Sequence, residues 1–199
     1  TTTNLIRNYL SNAATIRSNT STGTITQALY CPGTASSFAN LGSAHSISYS
    51  NLAVSNLFVE CWVNPGTVSV VESIFTRQTA ASPDFGIYTS AAGIVNFYIY
   101  TTGSNFAASN ATALVAGNWY HLALSYQSTG LTTGTIRCFI NGGLGGTVGT
   151  VTGAGQPRVT SGAGVYIGGD AGTSPFYGNV ADVRVMTGCI VPVTNFTPQ

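Results

Sequence analysis

The chain has 199 residues, of which 6% are charged, against about 25% in an ordinary soluble domain, and its net charge is +1. All six basic residues are Arg, so a lysine-bearing phosphate loop, Schiff-base chemistry and Ser-x-x-Lys hydrolysis are excluded. Six scattered Arg cannot build the basic stripe of a nucleic-acid binder, and no run reaches the ~18–20 consecutive apolar residues of a membrane span. Residues Thr1–Ile25 are polar with isolated apolar positions at Leu5, Ile6, Leu10 and Ile16. They read as an extra strand pair or as an arm that packs on a neighbour, which leaves 26–199 as a single domain. Strict alternation then dominates, and no segment of helical length carries the 3.6-residue period. Strands are predicted at Leu57–Val63, Val68–Phe75, Phe85–Thr89, Ile94–Tyr100, Tyr120–Tyr126, Ile136–Ile140, Gly164–Ile167 and Val180–Met186, all rich in Val, Ile, Tyr, Phe and Thr. Turn clusters such as Asn64-Pro65-Gly66, Ser82-Pro83-Asp84 and Asn141-Gly142-Gly143 separate them. Asn141–Gly155 is Gly-rich without the G-x-G-x-x-G order and reads as a hairpin or wide loop. The spacing fits an all-β antiparallel two-sheet sandwich, with Thr decorating outward strand faces.

Three stretches, taken in order, carry a family resemblance. Leu57-Phe58-Val59-Glu60-Cys61-Trp62-Val63-Asn64-Pro65 resembles the "F-T-I-E-A-W-V-x-P" strand of laminin G-like, concanavalin A-like jelly-roll domains. Asn118-Trp119-Tyr120-His121-Leu122-Ala123, followed by Cys138-Phe139-Ile140-Asn141-Gly142, is similar to that family's "W-x-H-V-A" strand and "Y-V-D-G" hairpin. Tyr166-Ile167-Gly168-Gly169 with Phe176–Val185 matches its closing "I-G … F-x-G-x-I-D-D-V-R-I" signature, and Ser37–Gly42 resembles the opening "F-D-G-S" strand, departing at Asn40. The resemblance spans about Ser36 to Gln199 and implies a jelly-roll sandwich with an N-terminal extension. The tail Arg184–Pro198 is similar to the "R-I-T-K-G-V-A-R-Y-T-x-N-F-T-P" close of such domains in tailed-phage and other viral structural proteins, although the Lys and second basic residue are missing.

No catalytic constellation accompanies these motifs. Retaining glycoside hydrolases on this sandwich need two carboxylates about 5–5.5 Å apart, commonly on one Glu-x-Asp-x-x-Glu strand. Here Glu60, Glu72, Asp84, Asp170 and Asp182 are isolated from one another, so no catalytic residue is assigned. Glu60 and Asp182 fall at family positions expected to pair with Arg184 and pin the sheet. His121 has no acidic or nucleophilic neighbour in sequence and reads as a strand histidine. Calcium is a frequent ligand of the family, but Asp170 is the only loop acid near the closing signature, and one carboxylate does not make a tight site. No cofactor or metal is therefore assigned. Cys61 and Cys138 sit in strand patterns and read as small buried hydrophobes. Cys31 and Cys189 flank the body of the chain and are candidates for a mutual disulfide.

The resemblance points to a non-enzymatic virion structural protein, either a capsid decoration or a fibre or spike component. Its partners would be other virion proteins and copies of itself in a homo-oligomer, with a host glycan as a further candidate and neither nucleic acid nor membrane involved. The alternative is a lectin-like carbohydrate-binding module of a secreted or cell-surface protein. In that reading Tyr88, Tyr98, Tyr100 and Tyr177 would stack on sugar faces.

Overall fold

The computed structural model describes residues 15–18, 27–42, 56–80, 82–101, 105–130, 133–148, 158, 160–170 and 173–198. Every regular element among them is a β-strand. In chain order these are β1 (Thr15–Ser18), β2 (Gln27–Pro32), β3 (Ala39–Asn40), β4 (Leu57–Pro65), β5 (Glu72–Gln78), β6 (Pro83–Thr89), β7 (Ile94–Tyr100), β8 (Asn105–Ala113), β9 (Tyr120–Gly130), β10 (Thr133–Ile140), β11 (Gly143–Val148), β12 (Gly164–Ile167) and β13 (Tyr177–Thr187). They form a seven-stranded sheet in the order β1-β2-β13-β4-β9-β10-β11 and a six-stranded sheet in the order β3-β12-β5-β6-β7-β8. Every pairing is antiparallel. This is the expected jelly-roll sandwich.

The core lies between the sheets. Val59 pairs across the sheet with Leu124, which pairs with Cys138, and all three are fully buried. From the other sheet Phe75, Phe85, Ile87, Phe97 and Ile99 fill the same cluster. Strand β4 is buried nearly throughout because its outer face is covered too. Phe58 on that face packs with Ala123, Phe139 and Val191, and the segment after β13 brings Phe196 over them.

Several expectations shift. Val68–Phe75 is not one strand: β5 begins at Glu72, while Val70 and Val71 stand half exposed on the connection. That connection carries the chain from one sheet to the other, so its apolar alternation meets no ladder. Strand β3 falls within Ser37–Gly42, the stretch similar to the family's opening strand; β2, β8 and β11 lie outside the predicted set, and β8 reads NFAASNATA, with few β-branched or aromatic side chains to mark it. Thr15–Ser18 of the N-terminal extension is an edge strand on β2, and the rest of Thr1–Ile25 lies outside the described residues. The four cysteines are free, so the Cys31–Cys189 disulfide is not formed. Cys31 sits in the core between the sheets and Cys189 packs with the outer-face cluster, so the seven-stranded sheet separates them. Burial pushes the Cys31 thiol up to about 12 and the Cys138 thiol up to about 11, which keeps both protonated and unreactive.

The Gly-rich stretch, expected as a hairpin or wide loop, opens with the hairpin turn between β10 and β11, and composition explains its position. Strand β11 closes on β8, the edge of the opposite sheet, so that a Cβ at Gly146 would strike the Ser109 carbonyl and crowd the Cys138 sulfur. Only glycine permits that backbone approach. Gly146→Val is expected to lower stability by about 1–3 kcal/mol, read as a reduced urea midpoint at unchanged slope. An unchanged midpoint would mean the two edges do not close in solution.

Candidate functional site

Strand β7 reads IVNFYIY, and its alternation sends Val95, Phe97 and Ile99 into the core and Asn96, Tyr98 and Tyr100 to the outer face of the six-stranded sheet. On β6 the partner of Asn96 is Tyr88 and the partner of Tyr98 is Gly86. Tyr88 and Tyr98 therefore meet with ring centroids 5.8 Å apart, and Tyr98 and Tyr100 meet edge-to-face at 5.6 Å. Gly86 lets this ladder lie down. A Cβ there would collide with the Tyr98 phenol, whose ring crosses the glycine so that its hydroxyl reaches Thr76 Oγ1 on β5 at 2.7 Å. Burial raises the Tyr98 hydroxyl well above the usual phenol range, opposed by the bond to Thr76, so it remains neutral.

The face continues on both sides. Thr76 pairs with Tyr166 on β12, whose ring meets Phe38 edge-to-face at 5.5 Å. Beyond Tyr100 the Arg158 guanidinium lies 5.5 Å from the ring centroid and donates to Thr101 O at 3.3 Å. From β12 to β7 the aromatic belt crosses four strands, or about 14 Å at ordinary strand spacing. Tyr177, grouped with the other three in the sequence reading, is not part of it. It opens β13 in the other sheet, edge-on to Tyr30 at 6.4 Å.

The carboxylates are dispersed and mostly engaged. Glu60 and His121 face each other from β4 and β9, with Nε2 3.0 Å from Oε2, and Arg184 Nε contacts Oε1 at 3.1 Å. The expected Glu60–Arg184 pair is present. His121 has the acidic partner that its sequence neighbourhood lacks, because β4 and β9 are adjacent only in the sheet. Asp182 is not in the pair: it sits in a bulge between Ala181 and Arg184 with φ of 48° and is exposed. The first serine after this cluster along β9, Ser125, donates to Pro192 O at 2.8 Å. It is not aligned as a nucleophile. Asp84 is buried, paired with Arg77, and accepts from the Thr160 hydroxyl at 2.6 Å.

Asp170 does not fit a calcium site. Its Oδ1 accepts from Thr173 N at 2.7 Å and Ser174 N at 2.9 Å, and its Oδ2 accepts from the Thr173 hydroxyl at 2.8 Å. The carboxylate closes its own loop, and the described residues hold no group of three or more His, Cys, Asp or Glu around a common centre.

Glu72 was not singled out in the sequence reading, and no local motif marks it. It is 1% exposed, its Oε1 accepts from Tyr177 N at 3.2 Å, and its Oε2 has no hydrogen-bond partner. Burial pushes its carboxyl up to about 7 against the opposing Tyr177 bond. An acid with a raised folded pKa is stabilised in its protonated form, so its burial costs little near pH 4.5 and the cost grows as pH climbs through 7. Glu72→Gln is expected to raise Tm at pH 8 by at least about 3 °C, the shift that ~1 kcal/mol produces in a domain of this size. The gain should vanish towards pH 4.5; a gain independent of pH would show that folding does not raise the Glu72 pKa.

Residues 38–192 match the family model described as the concanavalin A-like lectin/glucanases superfamily. Comparison with curated protein sequences gives no match. Among solved structures, domain 4 of AbnA, a GH43 extracellular arabinanase from Geobacillus stearothermophilus, in complex with arabinotriose, aligns at TM-score 0.63 and 18% identity over 90% of this chain and 78% of that one. The CBM40 of the Ruminococcus gnavus IT-sialidase, bound to α2,3 sialyllactose, aligns at TM-score 0.63 and 16% identity over 86% of this chain and 90% of that one. A heptameric SAP-like pentraxin from Limulus polyphemus aligns at TM-score 0.49 and 22% identity over 65% of this chain, which spans 63% of the pentraxin's length. For the first two, at these identities, the likeness is one of fold.

Proposed function

Because the chain belongs to the concanavalin A-like lectin/glucanase superfamily, we propose that it is an extracellular carbohydrate-binding module that holds a glycan on the outer face of its six-stranded sheet without turning it over. The observation that carries this reading is the ladder Tyr88–Tyr98–Tyr100, locked by Thr76 and laid flat by Gly86. Sugar rings present C–H faces that pack on aromatic surfaces, and a ladder already fixed by neighbouring rings loses little rotamer freedom on binding. Ser73, Gln78 and Asn96 stand on the same sheet as donors and acceptors for hydroxyls. Two neighbours of the same fold hold arabinotriose and sialyllactose, which supports saccharides as the ligand class. The engagement of Glu60, Asp84 and Asp170 in internal pairs supports binding without hydrolysis.

A glycan array read with the wild type and with Tyr88→Ala plus Tyr100→Ala tests the reading. At least one neutral or acidic oligosaccharide is expected to bind, and the double variant is expected to lose about tenfold or more in affinity. EDTA should leave binding unchanged. A folded protein that binds nothing on the array, or a double variant that binds as the wild type does, overturns the assignment.

A second reading, a virion surface component assembling through protein contacts, is favoured by one feature. The segment after β13 carries Ile190 at 98% exposure and Val193 at 43%, apolar side chains that a neighbouring subunit would cover. Light scattering separates the two: a defined oligomer abolished by Ile190→Ser supports the assembly role, and a monomer removes it.

A further inference from the structure

At one end of the sandwich, where β2 stops and β13 starts, lies a cleft of about 480 Å³ that the tyrosine ladder does not touch. Val70, Val71 and Tyr177 form its rim, exposed by 50%, 52% and 39%, with Thr67 and Thr173 beside them and Glu72 below. The Tyr177 ring is set against the turn after β4, in space that a Cβ at Gly66 would occupy, and Gly66 N donates to Tyr177 O at 2.7 Å. An apolar ring wall is thus held in place beside a buried carboxyl.

The floor is polar and incomplete. Glu72 pairs in register with Thr89, so their side chains share the inward face, while Ser73 and Tyr88, the next residue on one strand and the preceding one on the other, face the ladder. Glu72 lines the cleft and its buried Oε2 lacks a hydrogen-bond partner; the Oγ1 of Thr89, its register partner outside the lining, is buried and unpartnered as well. Two orphaned polar atoms on one face cost free energy unless something donates to or accepts from them. Cleft size, apolar rim and a few convergent polar groups together make the pattern of a small-ligand site.

We infer that this cleft is a second saccharide site, taking a single neutral sugar ring whose apolar face lies on Tyr177 and the two valines and whose hydroxyl donates to Glu72. The hydroxyl is the group that fits: it donates to a carboxylate, and it both donates to and accepts from a neutral acid. A metal ion is not the occupant, because the described residues gather no further acidic or imidazole ligands there. The inference goes beyond the ladder reading, and either site can fail without the other.

The test is amide chemical-shift mapping of the wild-type chain with methyl glycosides of the common hexoses and pentoses, repeated with methylammonium as a cationic probe. At least one glycoside at millimolar concentration is expected to shift the amides of Thr67, Val70, Glu72 and Thr173. Val71→Trp fills the cleft from an exposed position and should weaken that binding at least tenfold, whereas Tyr88→Ala plus Tyr100→Ala should leave it unchanged. Val70→Trp serves as the second variant should the first not fold. Shifts confined to β6 and β7, no shift with any glycoside, or shifts at the cleft with methylammonium alone each overturn the inference. The first of these leaves the ladder reading standing.

Discussion

Burial of β4 on both of its faces is the constraint on which the rest of the molecule depends. Its inner side chains Leu57, Val59, Cys61 and Val63 meet the opposite sheet and are 0% exposed. Its outer side chains Phe58 and Glu60 would face water were it not for the segment that follows β13. That segment is tied down along its length: Asn56 Nδ2 donates to Cys189 O, the Ser125 hydroxyl to Pro192 O, Leu144 N to Asn195 Oδ1 and Phe196 N to Gly142 O. Phe196 then sits edge-on to Phe58, Phe139 and His121 at 6.1, 5.2 and 5.8 Å. Under this cover the Glu60–His121 pair is removed from solvent, and a buried carboxylate of that kind persists only because both of its oxygens are matched.

The strap has a functional consequence. It covers the Phe58–Ala123–Phe139 part of the outer face of the seven-stranded sheet and leaves Trp62 and Trp119 half-buried beside it, whereas no such segment lies over the tyrosine ladder of the six-stranded sheet among the described residues. The charge-poor composition acts in the same direction. Three of the five acids are consumed by internal pairing, and Arg77 and Arg184 are consumed with them. What remains on the open face is aromatic, hydroxyl and amide chemistry with the Arg158 guanidinium at one end, which under the proposed reading suits a neutral or weakly charged polyhydroxylated ligand and gives little long-range steering.

Strands that bury one face wholly were readable from local pattern. Ile94–Tyr100 and Gly164–Ile167 coincide with β7 and β12 because aromatic and β-branched alternation is the sequence image of a half-buried strand. Edge strands were not readable. In β8 small polar residues suffice, since one flank is unpaired and the packing partner is the glycine backbone of β11. Val68–Phe75 misled for the opposite reason: Val70 and Val71 alternate with polar neighbours but rim a cleft instead of joining a ladder. For the site, Tyr88, Tyr98 and Tyr100 could be nominated together because they lie on adjacent hairpin strands, whereas Tyr177 belongs elsewhere.

The fold class, the chain order of the central strands and the absence of lysine chemistry were legible in the residues alone, since period-2 patterning and ordered motifs are local properties of the chain, while the Glu60–Arg184 contact was expected only through the family resemblance. It took the packed fold to put Cys31 and Cys189 on opposite sides of one sheet, to set His121 against Glu60 and to leave Glu72 buried with an unmatched oxygen. Each of these depends on which strands become neighbours and on which face a late segment covers. That is a choice of register and burial between residues up to a hundred or more positions apart, and no local pattern encodes it.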